Sequence, residues 1–322
     1  MVTNPLVSVI LIAYNEEKLI KQALDSVLSQ KTDFKFEIIC HDDASSDKTP
    51  EIILEYQKKY PDIIVPILQK ENKAQNGHHF VMEYCYPVAR GKYIAYIDAD
   101  DYWTNTNKLQ TQVDFLEKNP EYSLCLHNFD FLYEANNKIV RSKCGEQDKD
   151  YNVEAFIEWN ANEIPQIGTS VFRKDLAINR PKLFYKIGGG KNSKRLISDQ
   201  PLYIYLALIG KVKFFSESMS VWRRRTETTW MSEGTVEKNI NFMKEKIVFL
   251  KKLHRLYPNI SESVFKKAIG WCMYYIGWLS RDYRLAKRKL CFSNASYKIR
   301  FIVYLGCFAP SIANNIRDKM IN

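Results

Sequence analysis

Over the first hundred residues, short apolar runs alternate with stretches whose apolar positions recur at helical spacing. Val7–Ala13, Phe36–His41, Ile63–Leu68 and Tyr93–Asp98 are rich in β-branched or aromatic residues and are bounded by turn-forming ones, so each is predicted as a strand. Between the first two, Leu19, Ile20, Ala23, Leu24, Val27 and Leu28 line one face of a predicted helix. Asn15 is placed to cap it, and Glu16 and Glu17 lie at the positive end of its dipole. A second helix is expected from about Asp47, with Pro50 tolerated in its first turn and Ile52, Ile53 and Tyr56 buried; a third is expected over Asn76–Tyr86. Strands alternating with amphipathic helices imply an α/β chain with a mostly parallel sheet flanked by helices.

After Asp101 the rhythm loosens. A helix over Asn107–Lys118, a strand over Ser123–Tyr133 and helices around Asn152–Trp159 and Ser198–Ile209 are expected, continuing the sheet. Farther on, Ile240, Met243, Ile247 and Leu250 mark one helical face, Ala268–Leu279 is strongly apolar, and Ser296–Met320 forms a last segment containing Pro310. No low-complexity linker or internal repeat interrupts the chain. Residues 1–234 therefore read as one domain, with halves 1–120 and 121–234, and residues 235–322 as a helical extension.

Charge sharpens that division. The 322 residues carry 47 Lys and Arg against 37 Asp and Glu, a net charge of +10. Residues 235–322 hold 17 of those cations and 5 of the acids, leaving 30 against 32 in residues 1–234, so the whole excess lies in the extension. The apolar content of 46% excludes wholesale disorder. Seven scattered cysteines without a CxxC pair fit a reduced, cytoplasmic compartment better than a disulfide framework or a Cys-rich metal site, and the first residues lack the basic start of a secretory signal.

The most informative segment is Tyr93-Ile94-Ala95-Tyr96-Ile97-Asp98-Ala99-Asp100-Asp101. An apolar strand ends in three acids within four positions, which repel one another unless a cation or donors meet them. If the chain stays extended, Asp98 and Asp100 point to one side and can share a hard divalent ion such as Mg²⁺ or Mn²⁺; the alternative is a solvated acidic turn ahead of the next helix. A second cluster, Asp42-Asp43-Ala44-Ser45-Ser46-Asp47, follows another predicted strand. With Tyr14 and Asn15 after the first strand, three carboxyl ends converge on one crevice, where open α/β sheets bind ligands. Asp43 is the candidate for a base or ribose contact, while Asp47 reads more simply as a helix cap. Gly188-Gly189-Gly190-Lys191-Asn192 fails as a phosphate loop, because Tyr185 stands where its first Gly is required and Asn192 where Ser or Thr is.

Val7-Ser8-Val9-Ile10 leading to Ala13-Tyr14-Asn15-Glu16-Glu17, then Ser26-Val27-Leu28-Ser29-Gln30, Asp42-Asp43-Ala44-Ser45-Ser46-Asp47, and Ile97-Asp98-Ala99-Asp100-Asp101-Tyr102-Trp103, taken together resemble the family 2 glycosyltransferases. The likeness is close over residues 5–120 and looser to about 230. It implies the GT-A fold, a nucleotide-sugar donor (UDP-linked by preference), a divalent cation and transfer with inversion to a saccharide or lipid-linked acceptor in surface-polysaccharide assembly. Carried over by position, it implies that Ala13, Tyr14, Asn15, Glu16 and Asp43 surround the nucleoside, and that Asp98, Ala99 and Asp100 meet the ribose, metal and diphosphate. Asp199 becomes the catalytic base, with a helix cap as its alternative role. Trp222, Arg223 and Arg225 become diphosphate or acceptor contacts, Arg225 standing where the family often has His. His78 and His79 receive no role, and Gly168–Arg173 resembles the acceptor-side strand.

The longest apolar tracts of the extension fall short of the roughly 20 residues that span a bilayer. Arg281, Arg284, Lys287, Arg288, Lys289, Lys298 and Arg300 before Phe301-Ile302-Val303-Tyr304-Leu305 suit an anionic membrane surface contacted by residues 281–322 from the cytoplasmic side; the alternative is a bundle with a solvated basic face. A nucleotidyltransferase is the nearest rival activity. A nucleic-acid-binding role through the tail is disfavoured by the acidic crevice and the lack of a recognisable module, so no nucleic acid is expected as partner.

Overall fold

Strand β1 (Val7–Ala13) is fully paired on both edges, and much of the architecture follows from it. Around it, in chain order, come α1 (Ile20–Leu28), β2 (Phe36–Asp42), α2 (Thr49–Lys59), β3 (Ile64–Leu68), α3 (Tyr86–Val88), β4 (Tyr93–Asp98), β5 (Tyr102–Trp103) and α4 (Lys108–Lys118). Then follow β6 (Tyr122–Tyr133), β7 (Lys138–Arg141), β8 (Lys149–Tyr151), α5 (Val153–Glu158), β9 (Val171–Arg173), α6 (Lys174–Ile178), β10 (Ile187–Gly188), β11 (Leu196–Ile197), α7 (Asp199–Ile209) and β12 (Lys211–Arg224). Helices α8 (Val236–Leu256), α9 (Glu262–Leu279), α10 (Tyr283–Lys289), α11 (Tyr297–Gly306) and α12 (Pro310–Ile321) complete the chain. The structure is a computed structural model that describes residues 4–74, 79–159, 163–188, 196–197, 199–225, 235–293 and 295–321. The chain divides into two compact units, Met1–Lys186 with Ser198–Thr229, and Ile187–Ile197 with Trp230–Asn322.

The first unit is built on one mixed sheet in the order β3-β2-β1-β4-β9-β6-β12-β5, with β7 added to β6 and β8 to β12. Strands β3, β2, β1 and β4 are mutually parallel, and β9 inserts antiparallel between β4 and β6. One face of the parallel part, with Val7, Val9, Leu11, Ala13, Ile38, Cys40, Ala95 and Ile97, packs against Ile20, Ala23, Leu24 and Val27 of α1, Ile52 and Ile53 of α2 and Leu109, Val113 and Leu116 of α4. Ile10, Ile39 and Ile94, which alternate with those positions, are also buried, which explains why these strands read as unbroken apolar runs.

The amino ends of β1, β2 and β4 are locked by a polar cluster around the buried Glu37. Ser8 donates to the Glu37 carboxylate at 2.6 Å and accepts from the Gly91 amide at 2.8 Å, and Arg90 pairs with Glu37 at 2.7 Å. A Cβ on Gly91 would lie 2.5 Å from the Ser8 nitrogen, so the β4 approach requires glycine there.

Several sequence expectations are corrected. Helix α1 begins at Ile20 rather than at a cap on Asn15. Asn15 takes a left-handed φ of 56° and its side chain bonds elsewhere, while the Glu16 carbonyl accepts the amides of Leu19 and Ile20. Of the helix expected over Asn76–Tyr86, the described part is a π-turn, Val81–Cys85, running into α3; Asn76, Gly77 and His78 lie outside the described residues. Strand β12 was not expected: Ser216, Glu217, Ser218 and Ser220 interrupt its apolar pattern, and its register against β6 shifts between Phe215 and Ser220. In the second unit, α8 buries Phe242, Met243, Phe249, Leu250 and Leu253, a face rotated from the predicted one so that Ile240 and Ile247 are only half-buried. Pro310 splits the last segment into α11 and α12, as expected of a residue tolerated only in a helix's first turn.

Lys108 is fully buried in the first turn of α4, and its Nζ has no hydrogen-bond partner among the described residues; it lies 4.1 Å from the centroid of the Trp103 ring. The ring face offsets part of the cost of burying the cation. Burial still pulls its pKa down to about 7. The lysine therefore destabilises the fold most below pH 7, where both states are charged, and the cost fades as pH rises toward the unfolded-state value. Lys108→Met is expected to raise stability by about 1–2 kcal/mol at neutral pH. Denaturant titrations should show the gain shrinking steadily from pH 7 to pH ~10; a pH-independent gain would refute the assignment.

Candidate active site

The site lies at the carboxyl ends of β1, β2 and β4. Register places Ile12 beside Asp98 and Ala13 beside Asp42, and the backbone continues these links: the Ala99 amide donates to Ile12 O at 2.9 Å and the Asp43 amide to Ala13 O at 3.0 Å. The loop after β1 is then tied to the loop after β2. The Asn15 amide donates to Ser45 Oγ at 2.8 Å, Asn15 Oδ1 accepts from the Ser46 amide at 2.8 Å, and the Glu16 amide donates to Thr49 Oγ1 at 2.8 Å. Asp47 accepts from the amides of Glu17 at 3.0 Å and Thr49 at 2.9 Å, so it serves the loop pair as well as the start of α2. Tyr14 projects from this bundle and is 44% exposed.

Asp43 is buried, and its carboxylate accepts the Lys73 amide at 2.7 Å and the Ala74 amide at 3.0 Å. It thus orders the chain after β3 across the crevice as well as facing it. His41, one turn deeper, stacks on Phe80 with ring centroids 4.6 Å apart, and burial pulls its pKa down to about 4, so it is neutral. His79 is likewise buried, within 3.3 Å of Arg180 and pulled down to about 4, which makes it a core residue.

Strand β4 ends at Asp98, and the chain turns at once, the Asp101 amide donating to Asp98 O at 3.0 Å. The acids therefore converge through a turn rather than by alternating along an extended strand. That turn adds Asp101 to the pair: one carboxylate oxygen from each of Asp98, Asp100 and Asp101 lies within 4.8 Å of the others. Ala99 points into the core. Asp101 is buried and accepts from the Arg223 amide at 2.9 Å and from Gln166 Nε2 at 3.3 Å; the Gln166 carbonyl is held by the Tyr203 hydroxyl at 3.1 Å.

Cations reach the cluster from the end of β12. The Arg225 guanidinium pairs with Glu16 and stands 3.5 Å from Asp100, spanning the gap between the β1 and β4 ends. Arg223 directs its guanidinium to Gln22 and, at 3.9 Å, to Glu134, so its direct bond to the acidic turn is through its backbone amide, while its charge still pulls the Asp100 carboxyl down. Trp222 packs beside Phe129 and Phe131, with Arg224 over its ring at 4.1 Å, in an aromatic cluster that supports this end of β12.

Even so, the acids outnumber their partners. Burial first, then the facing charges of Asp100, Asp199 and Glu16, push the Asp98 carboxyl up to about 7. Asp100 is raised by burial against the opposing pull of Arg225, and Asp101 is raised well above the usual carboxylate range. Asp199, the first residue of α7, is near enough to add to the field on Asp98, and its Oδ1 accepts its neighbour Gln200's amide at 2.8 Å. The structure thus gathers Glu16, Asp98, Asp100, Asp199 and Arg225, with Tyr14 and Asn15 in the loop that follows β1. Sequence reasoning missed Asp101 and Gln166 as members. The first was visible as a third acid; the second had no local signal.

A family model described as glycosyl transferase family 2 matches residues 8–178, more than half of the chain. The chain belongs to this family. An uncharacterised protein of Mycobacterium tuberculosis is 33% identical over 229 residues, 71% of this chain and 61% of the relative, so the chain spans less than two thirds of that relative's length. A poly(ribitol-phosphate) beta-glucosyltransferase of Bacillus spizizenii is 37% identical over 99 residues, 30% of this chain and 15% of the relative. Among solved structures, S. aureus TarS 1-349 in complex with UDP-GlcNAc aligns with a TM-score of 0.61 at 20% identity, covering 86% of this chain and 74% of that one. The Pyrobaculum calidifontis mannosyltransferase PcManGT, in complex with GDP-Man and Mn²⁺, aligns with a TM-score of 0.54 at 16% identity over 96% and 82% of the two chains. The fold of this glycosyltransferase-family chain is GT-A, as its motifs implied.

The carboxylates of Asp98 and Asp100, all-oxygen donors with the further acid Asp101 beside them, fit a hard divalent cation. Mn²⁺ is expected to raise the thermal unfolding midpoint of the protein, and Asp100→Asn to abolish most of that shift. Because protons compete for Asp98, whose pKa is about 7, the Mn²⁺-induced shift should weaken as pH falls below 7. A shift that is unchanged in Asp100→Asn would remove the cation from this cluster.

Proposed function

We propose that the protein transfers a sugar from a nucleoside-diphosphate sugar to a hydroxyl of a saccharide or lipid-linked saccharide acceptor, with inversion at the anomeric carbon. The observation that carries this reading is the convergence of Asp98, Asp100 and Asp101 with Asp199 and Arg225 at the carboxyl ends of parallel strands. The neighbours' UDP-GlcNAc and GDP-Man complexes support a nucleotide-sugar donor, and we take UDP as the nucleotide. The glucosyltransferase relative supports a polymer of the cell surface as the destination. Seven free thiols, five of them buried, suit a reduced compartment, and we place the reaction in the cytoplasm.

In this reading Tyr14 and Asp43 flank the nucleoside, with Tyr14 offering an exposed ring for the base and Asp43 fixing Lys73 and Ala74 beside it. Asp98 and Asp100 would hold Mg²⁺ or Mn²⁺. The bound ion supplies charge stabilisation to the departing diphosphate without a proton transfer. Asp101 is a positioning residue, locked to the Arg223 amide and Gln166, and fixes the turn that presents its neighbours. Arg225, already between Glu16 and Asp100, donates to diphosphate oxygens when the donor enters.

Asp199 accepts the acceptor's hydroxyl proton as the oxygen attacks the anomeric carbon. One bond forms as the bond to the leaving nucleoside diphosphate breaks, which inverts the centre and needs no covalent protein nucleophile.

Asp199→Asn is expected to leave donor binding within a few fold while lowering kcat by about 10²–10⁴. Isothermal titration with UDP-sugars and a product assay separate the two effects, and full turnover in the variant would exclude Asp199 as base. The same assay distinguishes sugar transfer, which releases nucleoside diphosphate, from nucleotidyl transfer, which releases pyrophosphate.

A further inference from the structure

The second unit carries a surface that the catalytic reading does not use. Its own core is closed: Tyr274, Tyr283, Ala286, Leu290, Ile302, Val303 and Ala313 are buried together, and a Cβ on Gly306 would strike the Tyr283 ring at 2.3 Å. Opposite that buried face, α11 turns Tyr297, Phe301 and Tyr304 to solvent, spaced by four and three residues so that they form one row. Phe308 extends the row beyond the helix and is 81% exposed, while Phe301 is 61% exposed. Ile312 and Ile316 of α12 are also exposed one turn apart.

The charge around this row has one sign. From Tyr283 to Arg317 the sequence contains no Asp or Glu, but it contains Arg284, Lys287, Arg288, Lys289, Lys298, Arg300 and Arg317. Lys287 sits at the edge of the row itself, 4.8 Å from the Tyr304 ring centroid and 5.7 Å from that of Phe308. The flanking acid Asp318 is paired with Arg281 at 3.0 Å, and Asp282 caps α10 through the Leu285 amide.

We propose that α11 and the turn after it dock the second unit on an anionic lipid bilayer, with Phe301 and Phe308 entering the headgroup boundary and the basic residues meeting lipid phosphates. Charge complementarity selects this occupant. A second copy of the same face would bring like charges together, whereas an anionic bilayer offers an apolar layer for the aromatic row and negative charge for the cations beside it. Tyrosine at both ends of the α11 row suits the interface, since its ring is apolar and its hydroxyl stays wet. No helix among the described residues is long and apolar enough to cross a membrane, so the contact is with the surface. This inference does not depend on the proposed sugar transfer and is tested without any donor.

The test is co-sedimentation of the full chain with phosphatidylcholine vesicles, with and without phosphatidylglycerol. Binding is expected only with phosphatidylglycerol and should fall as salt rises. Phe301→Ser/Phe308→Ser should weaken it by about tenfold or more without moving the thermal unfolding midpoint, since both rings are exposed. Lys287→Glu/Lys298→Glu should weaken it to a similar degree while flattening the salt dependence. Equal binding to both vesicle types, or binding unchanged in the phenylalanine variant, would overturn the proposal. So would a dimer that sediments without lipid and dissociates in that variant, which would assign the row to a second copy of the chain.

Discussion

Three carboxylates gathered within 4.8 Å in a partly buried turn repel one another, and the surrounding architecture exists to make that arrangement tolerable. Hydrogen bonds to Asp101 come from a β12 amide and from Gln166, more than sixty residues away in sequence in each case. The guanidinium beside Asp100 comes from the residue just after β12. None of these groups is local to the β4 turn, so the environment of the acidic cluster depends on distant segments of the chain. Burial first, and then the acids' mutual repulsion, raise these carboxyls despite the cations beside them. A site in that condition favours a cation, and then the anionic diphosphate that the cation brings with it.

The sheet separates stability from chemistry along the length of its strands. At the amino ends of β1, β2 and β4, Ser8, Glu37 and Gly91 are buried and satisfy one another, with the exposed Arg90 closing the cluster from outside. At the carboxyl ends, Asn15, Ser45, Ser46, Asp47 and Thr49 are spent on tying loops together, which costs local strain at Asn15 and Ala44, both in the left-handed region. The loops so fixed leave Tyr14 exposed and set the half-buried Glu16 and Asp100 on either side of Arg225. Rigid strands below and cross-tied loops above hold side chains from three chain segments in one place, as a reaction with defined geometry requires.

Legibility in the sequence followed the range of the interactions. Strands β1, β2 and β4 were readable because burial on both faces makes their residues uniformly apolar, and the buried face of α1 because its apolar positions keep helical spacing. The acids were readable as clusters after strands. The start of α1 was misread because Asn15, a good cap by type, was recruited by Ser46 of another loop, a competition no local pattern reveals. Strand β12 was missed because its middle residues are serines and a glutamate that bulge against β6; its apolar ends, Val212–Phe215 and Met219–Trp222, belong to one strand only once that partner is present. Glu16 and Arg225 were both named from motifs, but their pairing depends on the sheet order and could not be read from either segment.

The net charge of +10 is the sum of a slightly acidic segment and a strongly basic one. In the first unit the informative charges are few, partly buried and close together, so their energies are set by desolvation and by individual partners at hydrogen-bond distance. In the second they are numerous, exposed and spread along α10 and α11, where water and salt weaken each one and only their sum over an extended surface matters. A compact cluster of acids discriminates a small, hard cation, while a dispersed set of cations beside exposed aromatic rings discriminates a large, soft, anionic plane. The same chain thus uses electrostatics in two regimes, and treating its pI as a single property would hide both.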